Sequence, residues 1–298
     1  MTRRGLALFV AMCVIWGIPY LLIRVAVTEL SPAVLVFVRT STAALILMPV
    51  VIARGGLRGV LARWPPLVVF AAAEVGIPWL MLASAEQKIT SSLAGLLISA
   101  VPLVATVIAP LFGNREWSGV TGLLGLLLGM AGVAGIVGFD LRASDPIALV
   151  EIGVVALGYA IGPAVLSRYL TGLPAVSVTG VSLTLCALAY APFAIVQRPH
   201  AVPSAAVIAA IAVLAVVCTA LAFLLFFALI AEVGPVRSTV ITYVNPAVAA
   251  ILGVTILGES FSPGMAVGFA LVIAGSVLAT RRPAGGAVPE PAAGPATG

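Results

Sequence analysis

Ten apolar runs, each about as long as a bilayer is thick, leave this chain few ways to fold. They are Gly5 to Val27, Pro32 to Ala53, Pro66 to Ala85, Thr90 to Phe112, Ser118 to Gly138, Ile147 to Leu170, Pro174 to Val196, Pro203 to Ala231, Val236 to Gly258 and Ser262 to Thr280. Apolar runs longer than about 18 residues mark spanning helices rather than buried ones. The polar/apolar alternation of outer-membrane strands is missing. At 62% hydrophobic and 8% charged residues, with a mean hydropathy of +1.25, the chain is too apolar for a water-soluble domain of 298 residues. It reads as an all-α integral membrane protein.

The net charge of +5 does not point to nucleic acid, because the cations cluster beside the apolar runs, where the positive-inside rule accounts for them. Lipid is the expected partner, and nucleic acid is not. Cys13, Cys186 and Cys218 lie within apolar runs without CxxC or CxxH spacing, so neither a disulfide framework nor a metal site is expected. No cofactor is implied. The basic start, Met-Thr-Arg-Arg-Gly-Leu, has the look of a signal peptide. The run continues past Trp16 to Val27 without a small-x-small cleavage site, which predicts a retained first helix.

Orientation follows from the cations. An inside amino terminus puts Arg3, Arg4, Arg54, Arg58, Arg63, Arg115, Arg168, Arg237, Arg281 and Arg282 on the cytoplasmic side and only Lys88, Arg142 and Arg198 outside. Both termini are then cytoplasmic, as an even number of spans requires. The links carry turn residues, as in Leu30-Ser31-Pro32 and Val233-Gly234-Pro235, so successive helices pack antiparallel. The segment from Pro283 to Gly298 is rich in Pro, Gly and Ala and is expected to be disordered.

An internal echo divides the chain. Pro102 recurs 144 positions on at Pro246, and Glu116, Gly125 and Gly132 recur 143 positions on at Glu259, Gly268 and Gly275. Pro19 and Arg24 match Pro163 and Arg168 at the same offset of 144. Five helices per repeat is an odd number, so the second repeat enters the membrane inverted. The expected fold is therefore ten transmembrane helices in two inverted five-helix repeats, residues 5–138 and 147–280. Such repeats are the usual frame for alternating access in secondary transporters.

Three features together resemble the EamA branch of the drug/metabolite transporter superfamily. They are Trp16-Gly17 in the first run, the Ala85-Glu86-Gln87-Lys88-Ile89-Thr90-Ser91-Ser92-Leu93-Ala94 stretch, and the paired proline, glutamate and glycine series. The resemblance covers roughly residues 7–279. It implies a ten-helix carrier that exports small metabolites, amino acids or toxic compounds. It also implies a central cavity lined by helices one, three, four, six, eight and nine. Small multidrug carriers fit less well, since no acidic residue lies between Met1 and Thr28. Phosphorylated substrates are disfavoured, because Arg39 is the one cation deep in a run.

Two ionisable residues lie well inside runs, Arg39 and Glu74, and an intramembrane charge costs at least about 2.5 kcal/mol at mid-span. Their backbones differ in depth by about 8 Å, which two long side chains can bridge as an ion pair. Glu74 has two readings: a proton-coupling or amine-binding carboxylate, or a permanently ionised partner of Arg39. Arg39 reads chiefly as structural, with a substrate carboxylate as the alternative. Pro102 and Pro246 each release the carbonyl four residues earlier, at Ile98 and Thr242. Thr242, Tyr243 and Asn245 add polar groups beside the second break. Trp16, Tyr20, Trp79 and Tyr159 are candidate aromatic walls for an amino acid side chain or a cationic drug. The glycines at 122, 125, 129, 132 and 135 permit close helix contact within the fold or at a homodimer interface, so monomer and homodimer both stay open. Glu116 and Glu259 read as loop and helix-start residues rather than binding groups.

An exporter of small metabolites or amino acids, with proton coupling as an option, is the reading these residues favour. A channel or lipid scramblase is the alternative. An intramembrane enzyme is disfavoured: Gly-x-Ser-x-Gly and His-Glu-x-x-His are absent, and the one histidine, His200, lies in an external loop. No Walker A sequence is present to use ATP.

Overall fold

The structure, a computed structural model, describes residues 2–113, 119–138, 145–234, 238 and 240–280. Among them every regular element is helical, and nine helices are long and apolar enough to cross a membrane. In chain order we label them α1 (Arg3–Ala26), α2 (Pro32–Arg54), α3 (Trp64–Ala85), α4 (Ser91–Phe112), α5 (Val120–Gly138), α6 (Pro146–Tyr169), α7 (Ala175–Val196), α8 (Ala205–Val233) and α10 (Pro263–Thr280). Between the last two lies α9 (Ile241–Leu257), apolar but only 17 residues long. Arg115, Glu116, Arg142, Arg237, Arg281, Arg282 and the segment from Pro283 lie outside the described residues.

Local chemistry sets the helix ends. Ser31 Oγ accepts from Val34 N at 3.3 Å, Thr90 Oγ1 from Leu93 N at 3.2 Å and Asp145 Oδ1 from Ile147 N at 2.8 Å, each relieving the unpaired amides of a first turn. Pro32 and Pro146 open their helices where no N–H is needed.

Prolines act differently from one helix to the next. In α4 the ladder is interrupted: Ser99 N and Ala100 N bond three residues back to Leu96 O and Leu97 O, and helix resumes at Val101 with Pro102 in its first turn. In α9 the helix runs unbroken through Pro246, which is buried. The expected pair of breaks is therefore one break and one continuous helix. A single proline inside a helix forfeits one bond, which neighbouring groups can absorb without ending the helix. α1 is also interrupted, at Trp16-Gly17, just before Pro19. α3 and α8 carry π-helical stretches, Ala72–Gly76 and Val213–Leu221.

The helices pack in a regular set of partners: α5 on α10, α2 on α7, α4 on α9, α3 on α6 and α1 on α8. Glycine faces make the α5–α10 contact possible. A methyl on Gly132 would stand 2.6 Å from Gly268 O, one on Gly268 would stand 2.7 Å from Gly132 O, and one on Gly275 would stand 2.6 Å from Gly125 O. The glycine stripe of α5 is thus used inside the fold.

Candidate substrate site

Arg39 is 7% exposed, and its partners come from two other helices. Its Nε donates to Thr219 Oγ1 at 2.9 Å, and its guanidinium carbon lies 3.5 Å from the centroid of the Trp79 ring. Thr219 Oγ1 in turn donates to Leu214 O at 2.8 Å, a carbonyl five residues back in the π-helical stretch of α8. The widened turn thus holds the hydroxyl with a lone pair toward the arginine. Trp79, 6% exposed, follows the π-helical stretch of α3 and supplies the negative face of its ring.

The expected ion pair between Arg39 and Glu74 is absent. Among the described residues the one salt bridge joins Lys88 to Glu151. A ring face and a hydroxyl meet Arg39 instead, and Glu74 keeps a buried carboxyl oxygen, Oε2, without a hydrogen-bond partner. That oxygen lies against Gly162 of α6, where a Cβ would overlap it. One turn earlier a methyl on Gly158 would stand 2.5 Å from Ala73 O and 2.6 Å from Pro78 Cγ. The π-helical stretch of α3 therefore seats on two glycines one turn apart in α6, with Tyr159 between them in sequence.

Tyr159 is half-buried, packs against the apolar clusters around both Tyr20 and Trp79, and stands within electrostatic reach of Glu74 and Arg39. Tyr20 is buried beside Gly95, with Leu97 and Ile98 in the same cluster. So Tyr20, Arg39, Glu74, Trp79 and Tyr159 come together from α1, α2, α3 and α6. Thr219, Gly158 and Gly162 join them unforeseen. A lone threonine in an apolar run and two glycines four apart were the available signals.

The other expected residues serve elsewhere. Trp16 packs on α8, tilted against Phe226 with ring centroids 4.7 Å apart and edge-on to Phe223 at 6.0 Å. With its amide nitrogen placed toward the acceptors, Asn245 donates to Ile241 O at 2.9 Å and Cys13 O at 3.0 Å. Gly17 N bonds Val14 O rather than the Cys13 carbonyl that a continuous α1 would offer it, so Asn245 serves an acceptor opened by the α1 break. Thr242 is exposed and Tyr243 half-buried. Ile98 is buried at the α4 break and Pro102 is half-buried just past it.

Polar contacts close the end of the bundle that carries the α1–α2, α3–α4 and α9–α10 links. Glu259 Oε1 accepts from Ser91 N at 2.8 Å and Ser91 Oγ at 3.0 Å, while Oε2 accepts from Ser92 N at 2.9 Å and Ser92 Oγ at 2.6 Å. Burial pushes this carboxyl up, but the Ser92 and Ser91 bonds outweigh it and hold Glu259 below the usual carboxylate range. Lys88 Nζ lies 3.0 Å from Glu151 Oε1, and Glu29 Oε2 accepts from Ser204 N at 2.7 Å. Two cavities lie away from the centre. One of about 570 Å³ sits between Glu29 and residues 196–203, and one of about 760 Å³ between α2, α3 and α7.

Comparison with known proteins agrees with this architecture. Residues 3–138 and 147–281 each match the EamA-like transporter family. The chain is 28% identical over 288 residues to YedA of Escherichia coli strain K12, described as an uncharacterized inner membrane transporter, across 92% of this chain and 89% of that one. YedA of E. coli O157:H7 matches equally. A protein crystal structure, 21% identical, shares the fold with a TM-score of 0.66 over 93% of this chain and 96% of its own. Nine apolar helices among the described residues and an inner-membrane relative make this a multi-pass protein of the cytoplasmic membrane. The chain belongs to the EamA-like transporter family of the drug/metabolite transporter superfamily.

Proposed function

We propose that this protein is a secondary carrier that moves a small metabolite, an amino acid or a similarly charged amphiphile, outward by alternating access, with Glu74 as the carboxyl that meets either a proton or the substrate ammonium. The observation that carries this reading is the Glu74 Oε2 atom, buried and unpartnered while the one nearby arginine is engaged by Thr219 and Trp79. A carboxylate in such a place needs a cation or a proton, since burying an unpaired charge is costly. Tyr159 and Trp79 supply aromatic surface beside it, and the remaining guanidinium N–H groups of Arg39 suit a substrate carboxylate.

Support for alternating access comes from repetition. With α9 counted as a tenth span, an inverted repeat relates each helix to the one five later. The α2–α7, α4–α9 and α5–α10 contacts then map onto themselves, and α3–α6 maps onto α8–α1. Shifted by the 144 positions of the sequence echo, the π-helical stretch Ala72–Gly76 falls on Val216–Ala220, inside the π-helical stretch Val213–Leu221. The cations in the sequence at the links support an orientation with both termini in the cytoplasm.

Flux into proteoliposomes under an imposed pH gradient tests the assignment. Wild-type protein gives saturable, trans-stimulated flux that follows the gradient, and Glu74→Gln loses the response to the gradient. An unchanged response in Glu74→Gln overturns the role of Glu74. Linear, unsaturable flux overturns the carrier and favours a pore or scramblase.

A further inference from the structure

A second buried acid lies at the closed end, away from the central cluster. Glu86 follows the last turn of α3, is 0% exposed, and both of its carboxyl oxygens lack a hydrogen-bond partner. The cation that approaches it, Arg24 of α1, spends a guanidinium N–H on the Glu86 backbone carbonyl. The nearest link contributes another acid: Glu259, on the α9–α10 connection, acts on Glu86 with its charge while its own oxygens are taken by Ser91 and Ser92. Arg39 of α2 and Tyr20 of α1 also act on it from the centre. Lys88 and Glu151, on the neighbouring loop and α6, are bound to each other.

This arrangement asks for a proton. Arg24 and Arg39 favour an ionised Glu86, but complete burial, two unpartnered oxygens and the adjacent Glu259 charge oppose it. Burial, and next the Glu259 charge, push the Glu86 carboxyl well above the usual carboxylate range. Both causes depend on this packing: water reaching Glu86, with Glu259 drawn away from Ser91 and Ser92, would remove them.

We propose that Glu86 is a proton-binding site of the external closure, neutral while Glu259 clasps the start of α4 and ionised when that clasp opens, so that closing the external end takes up one proton. The inference rests on the alternating-access reading for the meaning of closure, yet it concerns a different residue from Glu74. The sign follows from linkage. An acid whose closed-state affinity for protons exceeds its open-state affinity favours closure at low pH, and loses that effect as pH rises toward its closed-state value.

Hydrogen exchange of full-length protein in lipid nanodiscs, read on the peptide covering Ser91–Ile98 from about pH 5 to about pH 8, tests this. After correction for intrinsic exchange, wild-type protein opens faster as pH rises, by up to about tenfold per pH unit for one proton. Glu86→Gln holds the closed end protected with no pH dependence. A slope retained in Glu86→Gln, or a flat wild type, overturns the proposal. Should Glu86→Gln fail to fold, the infrared carbonyl band of a protonated carboxylic acid is followed in Glu74→Gln protein, which lacks the other unpartnered acid. That band must fade over the pH interval in which exchange rises, and its absence at low pH overturns the site. Flux on the same samples separates the two readings. Linear flux from protein that keeps its Glu86-dependent slope sinks the carrier and leaves this site standing, whereas saturable flux with flat exchange does the reverse.

Discussion

Arg39 and Trp79 form a stacked pair from α2 and α3, the guanidinium carbon 3.5 Å from the ring centroid, and Thr219 fixes the edge of the guanidinium at 2.9 Å. This pair replaces the ion pair that depth alone suggested, and so leaves Glu74 open. A desolvated cation–π contact is worth about 2 kcal/mol. A double-mutant cycle with Arg39→Met and Trp79→Leu, measured by unfolding in detergent, is expected to return about 1–2 kcal/mol of coupling. Arg39→Lys loses the planar stack and the Nε bond and should restore little of it. Coupling near zero removes the pair as a structural element.

Gly162 leaves the space that the Glu74 carboxyl fills, because any Cβ there would overlap Oε2. Gly162→Ala is therefore expected to displace the Glu74 carboxyl and to press on Glu74 Cβ, 3.1 Å from the added methyl, costing about 1–3 kcal/mol of stability. Flux should fall by roughly tenfold or more, since displacing the carboxyl by about 1 Å disturbs whatever it holds. Wild-type flux from Gly162→Ala separates Glu74 from the transport site.

Glu259 links the α9–α10 connection to the start of α4 through four hydrogen bonds from Ser91 and Ser92. Its carboxyl is held below the usual range, so its contribution is complete above the ordinary glutamate value, about pH 4.3, and is lost as pH falls below it. Being half-exposed, it contributes about 1 kcal/mol, the scale of a helix cap. Glu259→Gln is expected to unfold at lower temperature than wild type at neutral pH. The two midpoints should converge in acid, and a constant gap across pH contradicts the assignment.

The α5–α10 contact tolerates no side chain at Gly132 or Gly268, where each added methyl would meet the other glycine's carbonyl at 2.6 or 2.7 Å. Gly268→Leu forces the helices apart and should cost at least about 3 kcal/mol, read as loss of monodisperse protein on gel filtration. Gly153→Leu, at a position with nothing within 4 Å of the added Cβ, is the control expected to remain monodisperse. Equal behaviour of the two variants removes the glycine contact as a determinant of the fold.

Length and hydropathy sufficed for nine spans among the described residues. Pro32, Phe112, Gly138, Val196 and Thr280 end or begin helices where the sequence places them, because a bilayer-length apolar run has no alternative that satisfies its backbone. The glycine series was also legible, since a stripe of small residues can serve only close approach. What each buried polar side chain touches was decided by helices distant in sequence. Arg39 and Glu74 sit at compatible depths, yet depth is one coordinate and pairing needs three, so the facing of α2 toward Thr219 and Trp79 settled the matter. Proline positions marked possible breaks, but the chain broke at Ser99-Ala100 and held at Pro246, because the surroundings determine whether a lost bond ends a helix. Glu86 lay unnoticed inside a loop motif, since only tertiary packing could bury it with both carboxyl oxygens unpartnered. The sequence by itself determined which segments are helical and apolar, through free energies that add along the chain. The tertiary structure alone decided which charges are paired, because electrostatics and desolvation depend on neighbours that sequence order does not bring together.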